Sequence, residues 1–315
     1  SMVLSCVIFL AGLLGFATSA SALEDVNLQA PGSSSVNSLI YRIGQERGFY
    51  KENGLNVLAI LASSQAGIQG LVGGSFHFSG TSGVGTAAAM RGAPLKNVMV
   101  FDTRPLFWLY ASKKIKSVQA LKGGKVVGIS SLGANTDLIT REVLLANSID
   151  PRRDVVIQAL GTGAIRLQAL LGGGVDATIL NPLESLVAKK AGFNEILFYG
   201  DYDLGIVSGG VIVTDRLLSE KQEFVRRFLR GTLSAFRWFS ANENDATVLM
   251  AKTFKITSDD ALLVYRSTLK SLTTDGTIPL ETQRKIIASH RESLKMDKEI
   301  APEKIFDFSV LRSIK

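Results

Sequence analysis

Cysteine is all but missing: Cys6 is the only one among 315 residues. It sits inside an apolar N-terminal stretch, and everything after it is cysteine-free. That excludes a disulfide scaffold, a thiolate metal site and a cysteine nucleophile from the body of the chain. Histidine is nearly as scarce, with only His77 and His290. His77 stands between Phe76 and Phe78 on a strand-like run and reads as structural. His290 lies on a charged late helix and reads as solvated. Asp201-Tyr202-Asp203 fits a surface turn better than a metal site. No catalytic residue, metal or cofactor is therefore expected. Phosphate-cradling and hydrolase motifs are missing too. No Gly-x-Gly-x-x-Gly follows the first strand-like run, and no Walker Gly-Lys-Ser/Thr occurs. Gly80-Thr81-Ser82-Gly83-Val84 has Val84 where a Gly-x-Ser-x-Gly elbow needs glycine.

Long blocks of one charge are also absent. The net charge is +7, but the basic residues are scattered, with only doublets such as Lys113-Lys114, Arg152-Arg153 and Lys189-Lys190. A nucleic-acid binder concentrates them on one face, so that class is set aside. A mild positive field favouring anionic ligands is the better reading. Proline is rare, seven against thirty glycines, which suggests many tight strand–helix turns rather than disorder.

What is present begins at the N-terminus. Val3 to Phe16 is uncharged and apolar, and Ala17-Thr18-Ser19-Ala20-Ser21-Ala22 follows with small residues at cleavage spacing. The stretch is short for a membrane span, which needs about 20 residues. It reads as a secretory signal, residues 1–22, cleaved before Leu23, which marks the mature chain as exported. At 315 residues the chain exceeds the usual single core, so two domains are expected.

A positional echo supports two similar halves. Leu71-Val72-Gly73-Gly74 and Leu170-Leu171-Gly172-Gly173 lie 99 positions apart, and Leu55–Phe78 matches the later stretch at six of 24 positions. The shared order is strand, Ser/Thr/Gly loop, helix, Gly-Gly, strand. Alternating strands and helices run through both halves, the signature of parallel sheets with crossover helices. From Ser219 onward the pattern is helical alone.

In open α/β sheets, ligands bind beyond the carboxyl ends of the strands. The echo therefore pairs six loops: Pro31–Asn37 with Ser130–Thr136, Ala62–Gln65 with Gly161–Gly163, and Ser79–Gly83 with Thr178–Asn181. Their hydroxyls, amides and helix N-termini suit a polar or anionic ligand. The candidates are Ser34, Ser35, Asn37, Ser64, Gln65, Thr81, Ser82, Ser131, Gly133, Asn135, Thr136, Thr162 and Asn181. Each residue type is also an ordinary cap or turn residue, and only recurrence in matched places raises these. Trp108 joins them as an aromatic near the expected hinge, although the core is its simpler place. His77 and its echo partner Asp176 form an asymmetry between the halves that points to unequal roles in binding.

Several of these segments resemble one family. Gly48-Phe49-Tyr50-Lys51-Glu52-Asn53-Gly54-Leu55-Asn56-Val57 is similar to a "GFFKEEGLDV" run of periplasmic substrate-binding proteins of nitrate, sulfonate and bicarbonate ABC importers, with their taurine and thiamine-pyrimidine relatives. Ala93-Pro94-Leu95, Ser117–Val126, Gly172–Ala177 and Phe224–Trp238 match further segments in order. The resemblance implies an α/β chain of the type II periplasmic-binding fold: two Rossmann-like lobes, a cleft, two crossover strands, and a helical C-terminal tail on lobe I. It implies lobe I at 23–102 and 212–315, and lobe II at 103–211. It implies a monomer that captures a small ligand such as a sulfonate, nitrate, bicarbonate, carboxylate or pyrimidine by hinge closure, then delivers it to an inner-membrane permease and ATPase. Where the family usually has Gly-x-x-Asp-Phe-Gly, this chain has Gly74-Ser75-Phe76-His77-Phe78-Ser79. The cysteine-rich motif of the eukaryotic pyrimidine-synthase branch is lacking. An enzyme on the same scaffold using His77, or a ligand-sensing partner of a receptor, stands as the alternative.

Overall fold

The structure, a computed structural model, describes residues 22–32 and 35–314. Residues 1–21, on which the signal-peptide reading rests, and the candidate Ser34 lie outside the described residues. The first half runs β1 (Glu24–Ala30), α1 (Asn37–Glu46), β2 (Leu55–Leu61), α2 (Ser64–Gly73), β3 (Phe78–Thr81), α3 (Ser82–Met90) and β4 (Leu95–Val100). The second runs β5 (Trp108–Ala111), β6 (Lys125–Ile129), α4 (Asn135–Ala146), β7 (Val155–Ala159), α5 (Gly163–Leu171), β8 (Ala177–Leu180), α6 (Pro182–Lys190) and β9 (Asn194–Phe198). The chain then returns through β10 (Gly209–Thr214) and continues as α7 (Asp215–Glu220), α8 (Gln222–Ala241), α9 (Glu243–Phe254), α10 (Ser258–Ser271), α11 (Leu280–Leu294) and α12 (Ser309–Arg312).

These strands make two five-stranded sheets of one topology, β2-β1-β3-β10-β4 and β7-β6-β8-β5-β9. In each, the first three strands are parallel. The fourth is antiparallel and comes from outside that half's own βα run, β10 from after the second half and β5 from just before β6. The expected division at 211/212 falls inside β10.

The 99-residue echo holds down to single hydrogen bonds. The Asn27 N–H donates to His77 Nδ1 at 2.9 Å, and the Val126 N–H donates to Asp176 Oδ2 at 2.9 Å. The reverse bonds match as well, His77 N–H to Asn27 C=O at 2.8 Å and Asp176 N–H to Val126 C=O at 3.0 Å. His77 and Asp176 thus do the same work, each completing the ladder just ahead of β3 or β8. They lie at the amino ends of the strands, away from any carboxyl-end cleft. The asymmetry read between them is one of residue type and not of role. The two caps also correspond. Ser63 Oγ accepts the Ala66 N–H at 3.2 Å and Thr162 Oγ1 accepts the Ile165 N–H at 3.4 Å.

The tail covers the first sheet because α8 is strongly two-faced. Phe224, Phe228, Phe236 and Phe239 fall at helical spacing and are buried together, as a 3.6-residue period requires of an apolar stripe. Phe228 stacks on Tyr50 and on Phe78, with ring centroids 5.3 and 3.9 Å apart. One side chain of the second half, Leu186 of α6, joins this same core. Lys190, also on α6, is ion-paired with Asp260 on α10. Helix α10 therefore touches both halves.

Candidate functional site

Two segments join the halves, 101–107 going out and 199–208 coming back. They run side by side: the Phe101 N–H donates to Gly209 C=O at 2.9 Å, and the Tyr199 N–H donates to Phe107 C=O at 3.0 Å. Asp102 pins them. Its Oδ1 accepts the Ser208 N–H at 3.1 Å. Its Oδ2 accepts the Gly209 N–H at 3.0 Å and Asn37 Nδ2 at 2.8 Å. Asn37 is the first residue of α1, so one carboxylate holds both crossings to the start of a first-lobe helix.

Beside this knot is a cavity of about 240 Å³. Every part of the fold contributes to it: Gly32, Ser35, Val36 and Asn37 after β1, Asn181 and Pro182 after β8, Asp102, Leu106, Phe107 and Ser208 on the crossings, and Thr268, Ser271 and Leu272 at the end of α10. Its walls are mainly apolar, and among the described residues Asp102 is the only ionisable one lining it. Asp102 is 5% exposed. Burial pushes its carboxyl up to about 6, against the hydrogen bonds from Gly209, Asn37 and Ser208 that lower it. Ser271 is 2% exposed, and its Oγ has no hydrogen-bond partner among the described residues. An unmet buried hydroxyl costs about 1–3 kcal/mol, so it needs a reason.

The candidate residues divide sharply by place. Ser35, Asn37 and Asn181 line this cavity. Asn181 Oδ1 also caps α6, accepting the Glu184 N–H at 3.4 Å. Ser64 and Gln65 begin α2 behind the Ser63 cap, away from the cavity. Thr81 is turned inward, its hydroxyl 3.0 Å from Ser79 Oγ. Ser79 Oγ in turn donates to the buried Gln29 Oε1 at 2.6 Å. Ser82 is fully buried. Trp108 stacks on Phe198 with centroids 4.8 Å apart. It faces a second cavity of about 270 Å³ shared with Tyr110, Phe198 and Leu263.

The start of α4 and the loop before it gather Ser131, Gly133, Asn135 and Thr136, and two of these have their polar groups answered locally. The Gly133 N–H donates to Asp137 Oδ2 at 2.8 Å, and Thr136 Oγ1 accepts the Ser130 N–H at 3.0 Å. Asn135 does reach the other half. A methyl group built on Gly83 at the start of α3 would lie 3.2 Å from Asn135 Nδ2 and 2.8 Å from Val207 C=O. Thr162 remains an exposed cap. Near it, buried Arg166 donates from Nε to Ile179 C=O at 2.8 Å and from Nη1 to Gly161 C=O at 2.6 Å. Burial raises the Glu184 carboxyl there, with Arg166 opposing.

His290 departs from the expectation. It is 8% exposed, with Nδ1 2.9 Å from Ile286 C=O. Burial lowers its pKa. The charged residues around it in sequence occupy the outer face of α11, while its own position turns inward.

Asp102, Leu106, Phe107, Ser208, Thr268, Ser271 and Leu272 were not among the candidates. Asp102 had a signal: a lone acid directly after the apolar strand Leu95–Val100 and next to the expected division at 102/103. The α10 residues had none, because nothing local says where a late helix docks.

Among the described residues, no helix is long and apolar enough to cross a membrane. None of them forms a cluster of three or more His, Cys, Asp or Glu able to hold a metal.

A family model described as NMT1/THI5 like matches residues 35–246, more than half of the chain. The chain belongs to the NMT1/THI5-like family. Several solved structures share the fold. The periplasmic aliphatic sulphonate binding protein SsuA from Escherichia coli is 16% identical at a TM-score of 0.71, covering 90% of this chain and 92% of its own. The periplasmic nitrate-binding protein NrtA from Synechocystis PCC 6803 is 13% identical at 0.70, covering 93% and 88%. The desulfurization enzyme DSZB is 11% identical at 0.68, covering 92% and 98%. No curated protein matches. The family resemblance and the periplasmic-binding-protein fold read from the sequence are both upheld.

Proposed function

We propose that this member of the NMT1/THI5-like family is the solute-binding component of an ABC importer and performs no catalysis. It is exported as a monomer, captures a small ligand in the Asp102 cavity, and hands it to a membrane permease served by an ATPase. The observation that carries this reading is the cavity at the crossings, walled by both halves and pinned by one carboxylate. A ligand bound there touches both lobes, so binding energy goes directly into closing them. We place the lobe passages at 101–107 and 199–208, with β10 in lobe I. The nitrate- and sulfonate-binding neighbours support the general class, and the ligand itself is taken up below.

The enzyme alternative rested on His77. That ring accepts a backbone N–H at the amino end of the strands and shares no wall with the Asp102 cavity. Calorimetry with a panel of small sulfonates, nitrate, carboxylates, amines and aminopyrimidines tests the proposal. The expected result is stoichiometric binding of one class, no product on prolonged incubation, and a smaller radius of gyration in solution scattering. Turnover of any bound compound would overturn it. A permease and an ATPase encoded beside this gene would be the expected genomic setting.

A further inference from the structure

We infer that the Asp102 cavity takes a small organic cation, an ammonium or amidinium head on an apolar body about the size of one substituted ring. This inference deepens the binding-protein reading and rests on it. Three observations meet in the cavity, and the first is charge. Among the described residues Asp102 is the only ionisable one in the wall. Its partners are two backbone N–H groups, the Asn37 amide and the Ser208 hydroxyl, all neutral. A buried carboxylate without a cation costs free energy that a cationic ligand would restore.

The second is unused hydrogen-bonding capacity. A carboxylate offers about four acceptor directions. Oδ2 takes two donors, and Oδ1 takes the Ser208 N–H with the Ser208 hydroxyl beside it. Ser271, whose buried Oγ has no hydrogen-bond partner among the described residues, lines the same cavity. A head group with several N–H bonds can give one to Asp102 Oδ1 and one to Ser271. An anion meets Asp102 as a like charge. The positive end of α1, the natural anion site of the first lobe, already lies against the Asp102 carboxylate through Asn37, which offsets it.

The third is shape and polarity. Val36, Leu106, Phe107, Pro182 and Leu272 supply the remaining wall. A cavity of about 240 Å³ is at the small end of ligand sites. That suits one ring or a short branched chain.

The test uses isosteric pairs of opposite charge on the whole protein by calorimetry: benzamidine against benzoate, and benzylamine against benzenesulfonate. The cation of each pair is expected to bind at least tenfold tighter. Ser271→Ala should weaken benzamidine about three- to tenfold, and Leu106→Trp, which fills the cavity, should abolish binding. Asp102→Asn should remove the preference between pair members. If that variant does not fold, Ser271→Ala and Leu106→Trp decide the matter alone. An anion that binds tighter than its cation, and is lost in Leu106→Trp, would overturn the cation assignment while upholding the binding protein. Cation binding unchanged in Leu106→Trp would overturn the assignment to this cavity. Failure of all four compounds to bind would overturn the cation assignment and leave the binding-protein reading to the wider calorimetric panel above.

Discussion

Asp102 gives the protein a pH dependence that a single substitution isolates. Burial raises its carboxyl from 3.8 to about 6. In the unfolded chain the group titrates near its ordinary value, so between the two pH values only the folded state keeps the proton. A raised acid pKa therefore contributes stability at low pH and loses it as pH climbs through about 6. A gap of roughly two pH units is worth roughly 3 kcal/mol, at about 1.4 kcal/mol per unit. Exposed acids such as Asp150 and Glu243, held down by hydrogen bonds from neighbouring arginines, act in the opposite direction in both proteins and cancel in a difference. The measurement is urea unfolding of the wild type and Asp102→Asn from pH 4 to pH 8, without ligand, followed by tryptophan fluorescence. The wild-type advantage over the variant should shrink by roughly 3 kcal/mol between pH 4 and pH 7 and stay level above. A flat difference curve, or one that rises with pH, would refute the argument that desolvation outweighs the hydrogen bonds to Asp102.

Three further outcomes follow from packing and buried polar groups. Gly67→Ala would place a methyl group 2.5 Å from the buried Gln29 side chain. It should destabilise by about 1–3 kcal/mol in thermal or chemical unfolding, the usual cost of overpacking. Arg166→Met removes the donors to Ile179 and Gly161 and strips Glu184 of its only close cationic influence. A loss of about 2–4 kcal/mol is expected in urea unfolding, with faster hydrogen exchange in the 160–165 loop. Thr232→Val keeps the shape but orphans the Tyr50 hydroxyl, now 3.1 Å from Thr232 Oγ1. It should cost about 1–2 kcal/mol, and Tyr50→Phe in the same background should recover part of it.

Much of the fold was legible because it is built from local patterns repeated. Period-2 and period-3.6 apolar spacing marked strands and helices, and the Gly-Gly punctuation marked matched turns. The echo was deep enough that Ser63 and Thr162 prove to be equivalent caps. His290 was misread because its neighbours Arg291 and Glu292 are charged, yet a helix face is decided by angle and not by adjacent residues. The candidate site was legible only in part. Ser35, Asn37 and Asn181 sit at carboxyl ends of strands and do line the cavity. Thr81 and Ser82 have the same kind of address but turn into the sheet. A side chain's direction there depends on strand twist and on what packs behind it.

Composition and pattern by themselves determined two α/β halves, their family and the loops from which a cleft must be made. Only the tertiary structure decided which residues share one cavity. Asp102, Ser208 and Ser271 are more than 60 residues apart at the nearest, and they meet because the chain crosses twice between the sheets and α10 docks at the crossing. Local propensity carries no record of such contacts. They are set by the burial of apolar faces over the whole molecule, and that burial also leaves a lone carboxylate in the wall of one small space.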